Sequence, residues 1–268
     1  MFRKIAAFNE SFLKAYLEKL GRSAGRFVTS AGQLAILLGS AARFAVTPPL
    51  KMRNIFKQME FVGVQSLFVV ILTGSFTGMV LALQSFTALK RFGAESMVGP
   101  TVALSMAREL GPVLSGLMVT GRAGSAMATE LGTMRVTEQI DALATMAVNP
   151  VKYLIVPRIL AGICMFPVLT IIADFVGFIG GYLVGVKLLG INSGVYIGRT
   201  TEFVQVDDIL NGLTKSVFFG LITTLVACYY GFNTTGGAEG VGKSATSSVV
   251  LASVMILTSD YIMSSMMA

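Results

Sequence analysis

The chain has 268 residues, of which 54% are hydrophobic and 13% charged, and its formal net charge is +7. Soluble domains carry about 25% charged residues, so this composition excludes an ordinary soluble domain and indicates an integral membrane protein. The sequence contains no histidine, which excludes histidine-dependent catalysis and histidine-ligated metal sites. Cys164 and Cys228 both lie in apolar runs and indicate neither a disulfide framework nor a metal site.

The first segment of the chain mixes apolar and basic residues. Residues 1–26 place aromatic and aliphatic side chains at near-helical spacing with Lys and Arg between them, which predicts an amphipathic helix lying on a membrane surface. A helix on a soluble surface is the alternative. Residues 27–42 are uncharged but short for a span, and we expect them to lie in the interface or re-enter it. Residues 1–60 are therefore assigned to an interfacial helical segment.

Five later segments are apolar enough to cross the membrane, which takes roughly 20 residues as a helix. In the first of them, Gly74 and Gly78 form a GxxxG pair that predicts close helix packing. The sequence thus predicts an all-α integral membrane protein with one membrane domain over residues 61–268. Its predicted spans cover residues 61–89, 97–121, 159–186, 216–232 and 245–267.

The distribution of basic residues predicts the orientation. With the N-terminus inside, the cytoplasmic segments hold fifteen Lys and Arg residues and the opposite segments five. Because basic residues are enriched on the cytoplasmic side, this favours a cytoplasmic N-terminus and a C-terminus on the other side. The net positive charge then needs no nucleic-acid partner, since anionic lipid headgroups attract these residues.

Three charged residues are candidates for a polar site. Arg108 and Glu109 lie inside the second span, and Lys215 lies at the predicted outer edge of the fourth. A charge inside a membrane is costly unless it faces a cavity or a partner. Adjacent residues on a helix diverge by about 100°, so Arg108 and Glu109 are not expected to pair with each other. The three charges together predict a polar patch that contacts a lipid headgroup. The alternative is an ion-pair network that only holds helices together.

Single acids occur in two other spans, Asp174 in the third and Asp260 in the fifth. Hydrogen bonding within the bundle is the favoured interpretation, and an ion or proton relay is the alternative. A secondary transporter would use these acids together with Glu109, but such transporters consist of repeated halves, and no repeat is visible. An intramembrane enzyme is a weaker hypothesis, because no nucleophile and base are visible as a pair.

Residues 237–244, GAEGVGKS, match the phosphate-binding pattern GxxxxGK[ST]. That pattern binds phosphate when a strand precedes it and a helix follows it within an α/β sheet. Here it joins two apolar spans, so we expect a short loop and no ATP binding by this chain.

Residues 128–147 are rich in helix formers and end before Asn149 and Pro150, which predicts a cytoplasmic helix between spans two and three. A single helix would place Glu130, Met134, Thr137 and Asp141 on one face, with Arg135 and Glu138 alongside. A charged face with a methionine suits docking into a groove of another protein. A connector that only covers the span ends is the alternative.

Four motifs resemble a known family. AREL-GP (107–112), GRAGSAMATELGTMRVTEQIDAL (121–143), MAVNPVKYLIVPRILAG (146–162) and GGYLVG (180–185) are similar to the MlaE-type permeases of MCE-associated ABC transporters. The resemblance extends from about residue 61 to the C-terminus, and the motifs occur in the order typical of the family.

The resemblance implies a transport permease, not an enzyme, that forms a homodimer in a bacterial inner membrane. A separate ABC ATPase is expected to bind ATP and magnesium, and no cofactor is expected in this chain. The ATPase is expected to dock on a coupling helix of this chain. That helix includes Glu130, Met134, Arg135, Thr137, Glu138 and Asp141. A periplasmic hexameric MCE-domain protein is expected to continue the lipid path. In some relatives a STAS-domain protein binds the ATPase.

By the same resemblance, the substrate is phospholipid moving between the inner and outer membranes, which helps maintain outer-membrane lipid asymmetry. Arg108, Glu109 and Lys215 match the family's polar cavity residues. The lipid tails are expected among apolar side chains of the first span, near Leu81 and Leu83. The direction of transport and the headgroup preference do not follow from the sequence.

Overall fold

The structure, a computed structural model, describes residue 25, residues 28–48 and residues 51–267. The amphipathic helix predicted for residues 1–26 therefore falls almost entirely outside the described residues. Helices make up most of the described chain, and no described residue lies in a strand. The α-helices are α1 (28–46), α2 (Met52–Val62), α3 (Leu67–Lys90), α4 (Val98–Ser105), α5 (Gly111–Val119), α6 (Ser125–Val136), α7 (Gln139–Thr145), α8 (Val156–Tyr182), α9 (Ser193–Phe203), α10 (Val206–Phe232) and α11 (Gly237–Met267).

Short turns of other helix types join several of these helices into continuous rods. Turns of π-helix cover Met106–Leu110, Thr120–Gly124, Val151–Ile155 and Leu183–Leu188, and 3₁₀ turns cover Val64–Ser66 and Glu95–Met97. Five rods in the described chain are long and apolar enough to cross a membrane: span 1 (Met52–Lys90), span 2 (Glu95–Val136), span 3 (Val151–Leu188), span 4 (Val206–Phe232) and span 5 (Gly237–Met267). The prediction of an all-α membrane protein with five spans is confirmed.

Each helical rod starts before the predicted span. Span 4 begins at Val206 rather than 216, so Lys215 lies well inside it and not at its outer edge. The difference arises because the first turns of α10 are polar. Asp207 and Asp208 lie outside the apolar pattern that predicted the span, but they belong to the helix. Span 1 likewise begins at Met52.

Spans 1 and 3 pack against each other through glycines. A Cβ placed on Gly78 would lie 1.8 Å from the carbonyl oxygen of Gly177, and one on Gly74 would lie 2.9 Å from that of Ala173. Only glycine allows the two backbones to approach this closely. The predicted role of Gly74 and Gly78 in close packing is confirmed.

The core follows the length of the bundle. Its central part is built on side chains such as Phe166, Leu169 and Phe219, which are almost completely buried. Span 5 is the least buried of the five spans. Its outward face consists of large apolar side chains: Val250, Val254, Leu257, Tyr261 and Ile262.

Candidate functional site

The two adjacent charges of span 2 lie in a turn of π-helix, Met106–Leu110. A π turn inserts one extra residue into a helix and occurs frequently at functional sites. Pro112 follows within the next helix and cannot donate a backbone hydrogen bond, which is consistent with a local departure from α-helix. No feature used in the sequence analysis predicted this turn.

Lys215 is the centre of a polar cluster between spans 2, 4 and 5. Its Nζ forms ion pairs with Glu109 Oε1 at 2.8 Å and Asp260 Oδ1 at 3.2 Å. It also donates hydrogen bonds to the Arg108 carbonyl oxygen at 2.9 Å and to Ser264 Oγ at 2.7 Å. The Lys215 side chain is only 2% exposed, so its charge is neutralised by protein groups and not by solvent.

Arg108 takes a different partner from its neighbour. Its Nε donates to Asp208 Oδ1 over 2.6 Å, and the other carboxylate oxygen of Asp208 accepts the backbone N–H of Gln205 at 2.8 Å. Asp208 therefore fixes the start of α10 and orients Arg108 at the same time. Arg108 and Glu109 do not pair with each other, as their divergence on the helix predicts.

A cavity of about 280 Å³ opens onto this cluster and is lined by Arg108, Glu109, Asn211, Lys215, Ser264 and Met267. The side chain of Arg108 remains 57% exposed and that of Glu109 45% exposed. The structure thus brings all three predicted polar residues together but gives them different positions. Arg108 and Glu109 can reach a ligand, whereas Lys215 holds the helices and orients Glu109.

Sequence reasoning missed two members of the cluster, Asp208 and Ser264, and did not connect Asp260 to Lys215. Asp260 forms an ion pair with Lys215, but the hydrogen bonding expected for it is not found at Oδ1 within the described residues. The spacing of Gln205 and Asp208 is that of a capping box, which was the available signal for Asp208.

The apolar residues predicted for the lipid tails lie on different faces of α3. Leu83 is exposed, on a face that also carries Phe68, Leu72, Phe76 and Val80. Leu81 is partly buried against a cluster that includes Val98 and Val102. Only Leu83 is therefore placed where an acyl chain in the surrounding membrane would contact it.

Asp174 lies apart from the polar cluster. It borders an apolar cavity of about 470 Å³ between spans 2, 3 and 4 and helix α9. Its Oδ1 is buried and has no hydrogen-bond partner within the part of the chain that the structure describes. The hydrogen bonding expected for Asp174 is thus not found at this oxygen.

The far end of span 2 carries the residues predicted to couple to a partner. Glu130 forms an ion pair with Arg158 of span 3 at 2.7 Å, and the same guanidinium donates to the Leu154 carbonyl oxygen at 2.7 Å. Arg158 is buried and Glu130 is half exposed. Glu130 therefore attaches the end of span 2 to the start of span 3.

The segment 128–147 is not one helix. α6 continues span 2 to Val136, the chain bends at Thr137 and Glu138, and α7 begins at Gln139. Glu138 has a φ of 60°, a left-handed conformation that is uncommon for residues other than glycine. The expectation that positions 130, 134, 137 and 141 share one helix face fails at this bend.

The bend and α7 nevertheless form one exposed surface. Arg135 and Asp141 form an ion pair across the bend at 2.6 Å. Ile140 is buried and anchors α7 to the bundle. A shallow depression of about 240 Å³ is lined by Met134, Gln139, Ala142, Leu143 and Met146. We call Thr137, Glu138, α7 and this depression the bend surface. Its apolar floor and charged rim suit protein docking.

The GAEGVGKS segment does not form a phosphate-binding loop. Gly237 begins α11, so the motif forms the first turns of span 5 rather than the short loop that we expected. No strand precedes it among the described residues. Ser244 Oγ lies 3.0 Å from Thr234 Oγ1 and packs toward the preceding turn.

The sequence is similar to those of several membrane permeases. The family model described as Permease MlaE matches residues 55–266. The chain is 46% identical over 243 residues to a probable ABC transporter permease protein of Rickettsia bellii, covering 91% of this chain and 94% of the relative. It is 44% identical over 212 residues to the intermembrane phospholipid transport system permease protein MlaE of Haemophilus influenzae, covering 79% and 81%. A chloroplastic protein of Arabidopsis thaliana, TRIGALACTOSYLDIACYLGLYCEROL 1, is 35% identical over 91% of this chain and 69% of its own length.

The family match covers spans 2, 3 and 4 in full, nearly all of spans 1 and 5, the polar cluster and the bend surface. The resemblance on which the sequence analysis relied is confirmed. This multi-pass membrane protein belongs to the MlaE permease family.

Proposed function

We propose that the chain is the membrane subunit of an ATP-driven transporter that moves phospholipid between the inner and outer membranes of a diderm bacterium and helps maintain outer-membrane lipid asymmetry. The relatives named as ABC transporter permeases and the Haemophilus relative named for intermembrane phospholipid transport support this function. The observation that carries it is span 2, one helical rod with a polar cavity in its first half and an exposed bend at its far end.

The bend surface is the proposed docking site of a separate ABC ATPase, which would hold ATP and magnesium. Thr137, Glu138 and Asp141 are exposed there, and Met134 lines the adjacent depression. Glu130 pairs with the buried Arg158 and is proposed to transmit force to span 3, while Arg135 is proposed to hold Asp141 at the edge of the docking site. The basic-residue distribution supports a cytoplasmic N-terminus and a cytoplasmic bend surface, and the similarity to the Haemophilus permease supports an inner-membrane location.

A homodimer is the proposed assembly. The apolar outward faces of spans 1 and 5 are large and are not covered by the described residues of one protomer, which favours burial against a second copy or lipid tails. A hexameric MCE-domain protein would bind at the periplasmic end and continue the lipid path. A STAS-domain protein bound to the ATPase would be an accessory subunit.

The lipid is proposed to place its headgroup at the 280 Å³ cavity and its acyl chains along the exposed face of span 1 that includes Leu83. Arg108 is the cation that a phosphate would meet first, because its side chain is accessible while Lys215 is enclosed. Closure of the ATPase would move the bend surface, and span 2 would pass the motion to Arg108 and Glu109.

Purification from cells that co-express the genomic neighbours tests this proposal. We expect an ATPase and a periplasmic ring protein to copurify with the permease in mild detergent. The proposal fails if neither joins the complex.

Photocrosslinking of lipid near the cavity tests the headgroup site. Arg108→Ala should reduce the yield of crosslinked lipid, while Arg199→Ala, in exposed α9, should leave that yield unchanged. Equal crosslinking yields from both variants would mean that the polar cluster only holds the helices together and does not bind a headgroup.

A further inference from the structure

A further cavity lies where spans 1 and 3 begin, at the opposite end of the bundle from the polar cluster. Its volume is about 270 Å³, and its lining comes from two segments, the start of α2 and the chain that leads from α7 into span 3. We call it the basic pocket. Its lining residues are Lys51, Asn54, Ile55, Ala147, Val148, Asn149, Lys152, Tyr153 and Pro157.

The described lining of the basic pocket carries two positive charges and no carboxylate. The Nζ of Lys51 lies 4.7 Å from the centroid of the Tyr153 ring, which holds the ammonium by a cation–π contact. The Nζ of Lys152 donates to the Pro48 carbonyl oxygen at 3.2 Å. Each ammonium has three donors, so both retain hydrogens for an anionic ligand.

The start of span 3 adds to this positive potential. Asn149 Oδ1 accepts the backbone N–H groups of Val151 at 3.0 Å and Lys152 at 3.3 Å. These amides are thus already partnered, so an anion would be held by the lysines and the side-chain amides rather than by the helix end. The helix dipole still favours negative charge at this position.

An exposed apolar strip adjoins the pocket. Met52 and Phe56 are 54% and 61% exposed, one turn apart on α2, whereas Ile55 between them lines the pocket. Residues four apart on a helix are neighbours, so the two side chains form one strip beside the lysines. A ligand with a phosphate and long apolar chains matches both features.

We propose that the basic pocket binds the phosphate group of an anionic phospholipid from the surrounding leaflet, with its acyl chains along Met52 and Phe56. Positively charged pockets between membrane helices on the cytoplasmic side favour such headgroups, and the orientation proposed above puts the pocket on that side. The site is separate from the transport cavity. It lies directly after α7, so a lipid bound here would brace the connection between the bend surface and span 3.

Lipid titration of the full-length chain in detergent, followed by native mass spectrometry, tests the proposal. Phosphatidylglycerol is the probe, and phosphatidylcholine is the zwitterionic comparison. For Lys51→Ala/Lys152→Ala we expect roughly 25-fold weaker phosphatidylglycerol binding, about fivefold for each lysine removed near the membrane surface. Lys57→Ala/Lys243→Ala removes the same charge outside the pocket and should bind as the unmodified chain does.

Two further measurements keep the outcome decisive. Lys51→Arg/Lys152→Arg retains the charges and should retain phosphatidylglycerol binding, which separates loss of the site from loss of the fold. Millimolar inorganic phosphate should not displace the lipid, because the acyl chains contribute to its binding. Unchanged binding by the double alanine variant would overturn the proposal. Displacement by inorganic phosphate would also overturn it, since the pocket would then be a site for free anions.

Discussion

The first half of span 2 and the bend surface that follows its end carry charge in opposite ways. Around Arg108 and Glu109 the partners are numerous and enclosed: Lys215 alone contacts four protein groups. At the far end, Glu138 and Asp141 are exposed, and the ion pair of Asp141 with Arg135 lies at the surface. The polar cluster is therefore held by the protein itself, whereas the bend surface has room for a partner.

This difference separates stability from recognition. A buried ion pair leaves an uncompensated charge when one member is lost, so substitution of the enclosed Lys215 should act mainly through unfolding. An exposed charge contributes little to the free energy of unfolding and acts mainly on binding to a partner protein. Substitutions should therefore affect stability near Lys215 and partner binding near Glu138.

Replacing Lys215 should have the largest effect. Lys215→Met removes the cation between Glu109 and Asp260 and is expected to lower the free energy of unfolding by about 3 kcal/mol. The value is at the low end for buried pairs, because Glu109 is partly exposed and can recover some solvation. Denaturation of the purified permease in detergent measures the change.

Lys243→Met is the matched control, since Lys243 is exposed near the start of span 5. Its stability should remain close to that of the unmodified chain. Adding Glu109→Gln to Lys215→Met should recover part of the loss. If the two lysine variants were equally stable, the description of the cluster as an enclosed network would be wrong.

Loss of Arg158 should have a smaller effect. Arg158→Met removes the ion pair with Glu130, but Glu130 is half exposed and can be solvated. We expect a loss of about 1.5–2 kcal/mol, at the low end of the range for a hydrogen bond to a charged group. The same denaturation measurement applies. A loss as large as that of Lys215→Met would contradict the contrast between the two ends.

Charge reversal on the bend surface should act on partner binding alone. Glu138→Lys is expected to weaken ATPase association roughly tenfold, about 1.4 kcal/mol, with unfolding little changed. Asp141→Lys should do the same and also lose the contact with Arg135. Copurification against a titrated ATPase measures the effect. Normal ATPase recovery with both variants would remove the bend surface as the docking site.

The smallest effect should come from Glu138→Gly. Because Glu138 has a φ of 60°, glycine would relieve a left-handed conformation, and a gain of up to about 1 kcal/mol in unfolding free energy is expected. Glu138→Ala, which keeps a Cβ, is the comparison. A glycine variant no more stable than the alanine variant would show that this bend is not strained.

Much of the fold follows from local patterns in the sequence. Long apolar runs determine five spans, and the spacing of Gly74 and Gly78 identifies a close contact whose partner, Gly177, only the structure supplies. The limits of the spans were harder to predict, because α10 starts with acidic residues that hydropathy assigns to a loop. The bend at Glu138 was hidden for a related reason, since good helix formers surround it.

The candidate site was predictable in part. Charge inside an apolar run identified Arg108 and Glu109, the predicted edge of the fourth span suggested Lys215, and the family resemblance implied the same three residues. Their separate roles depend on contacts between residues far apart in the chain, such as Arg108 with Asp208 and Lys215 with Ser264. Spacing along the sequence does not encode those contacts, so accessible and enclosed charges could not be distinguished without the structure.

Lipid transfer by the reconstituted complex tests the central claim most directly. The permease with its ATPase and ring protein would be placed in proteoliposomes, and movement of fluorescent phospholipid to or from acceptor vesicles would be followed with and without ATP. We predict ATP-dependent transfer that Glu138→Lys reduces roughly tenfold at limiting ATPase concentration and that Arg108→Ala also lowers. Transfer that is independent of ATP, or that is unchanged in both variants, would contradict the account.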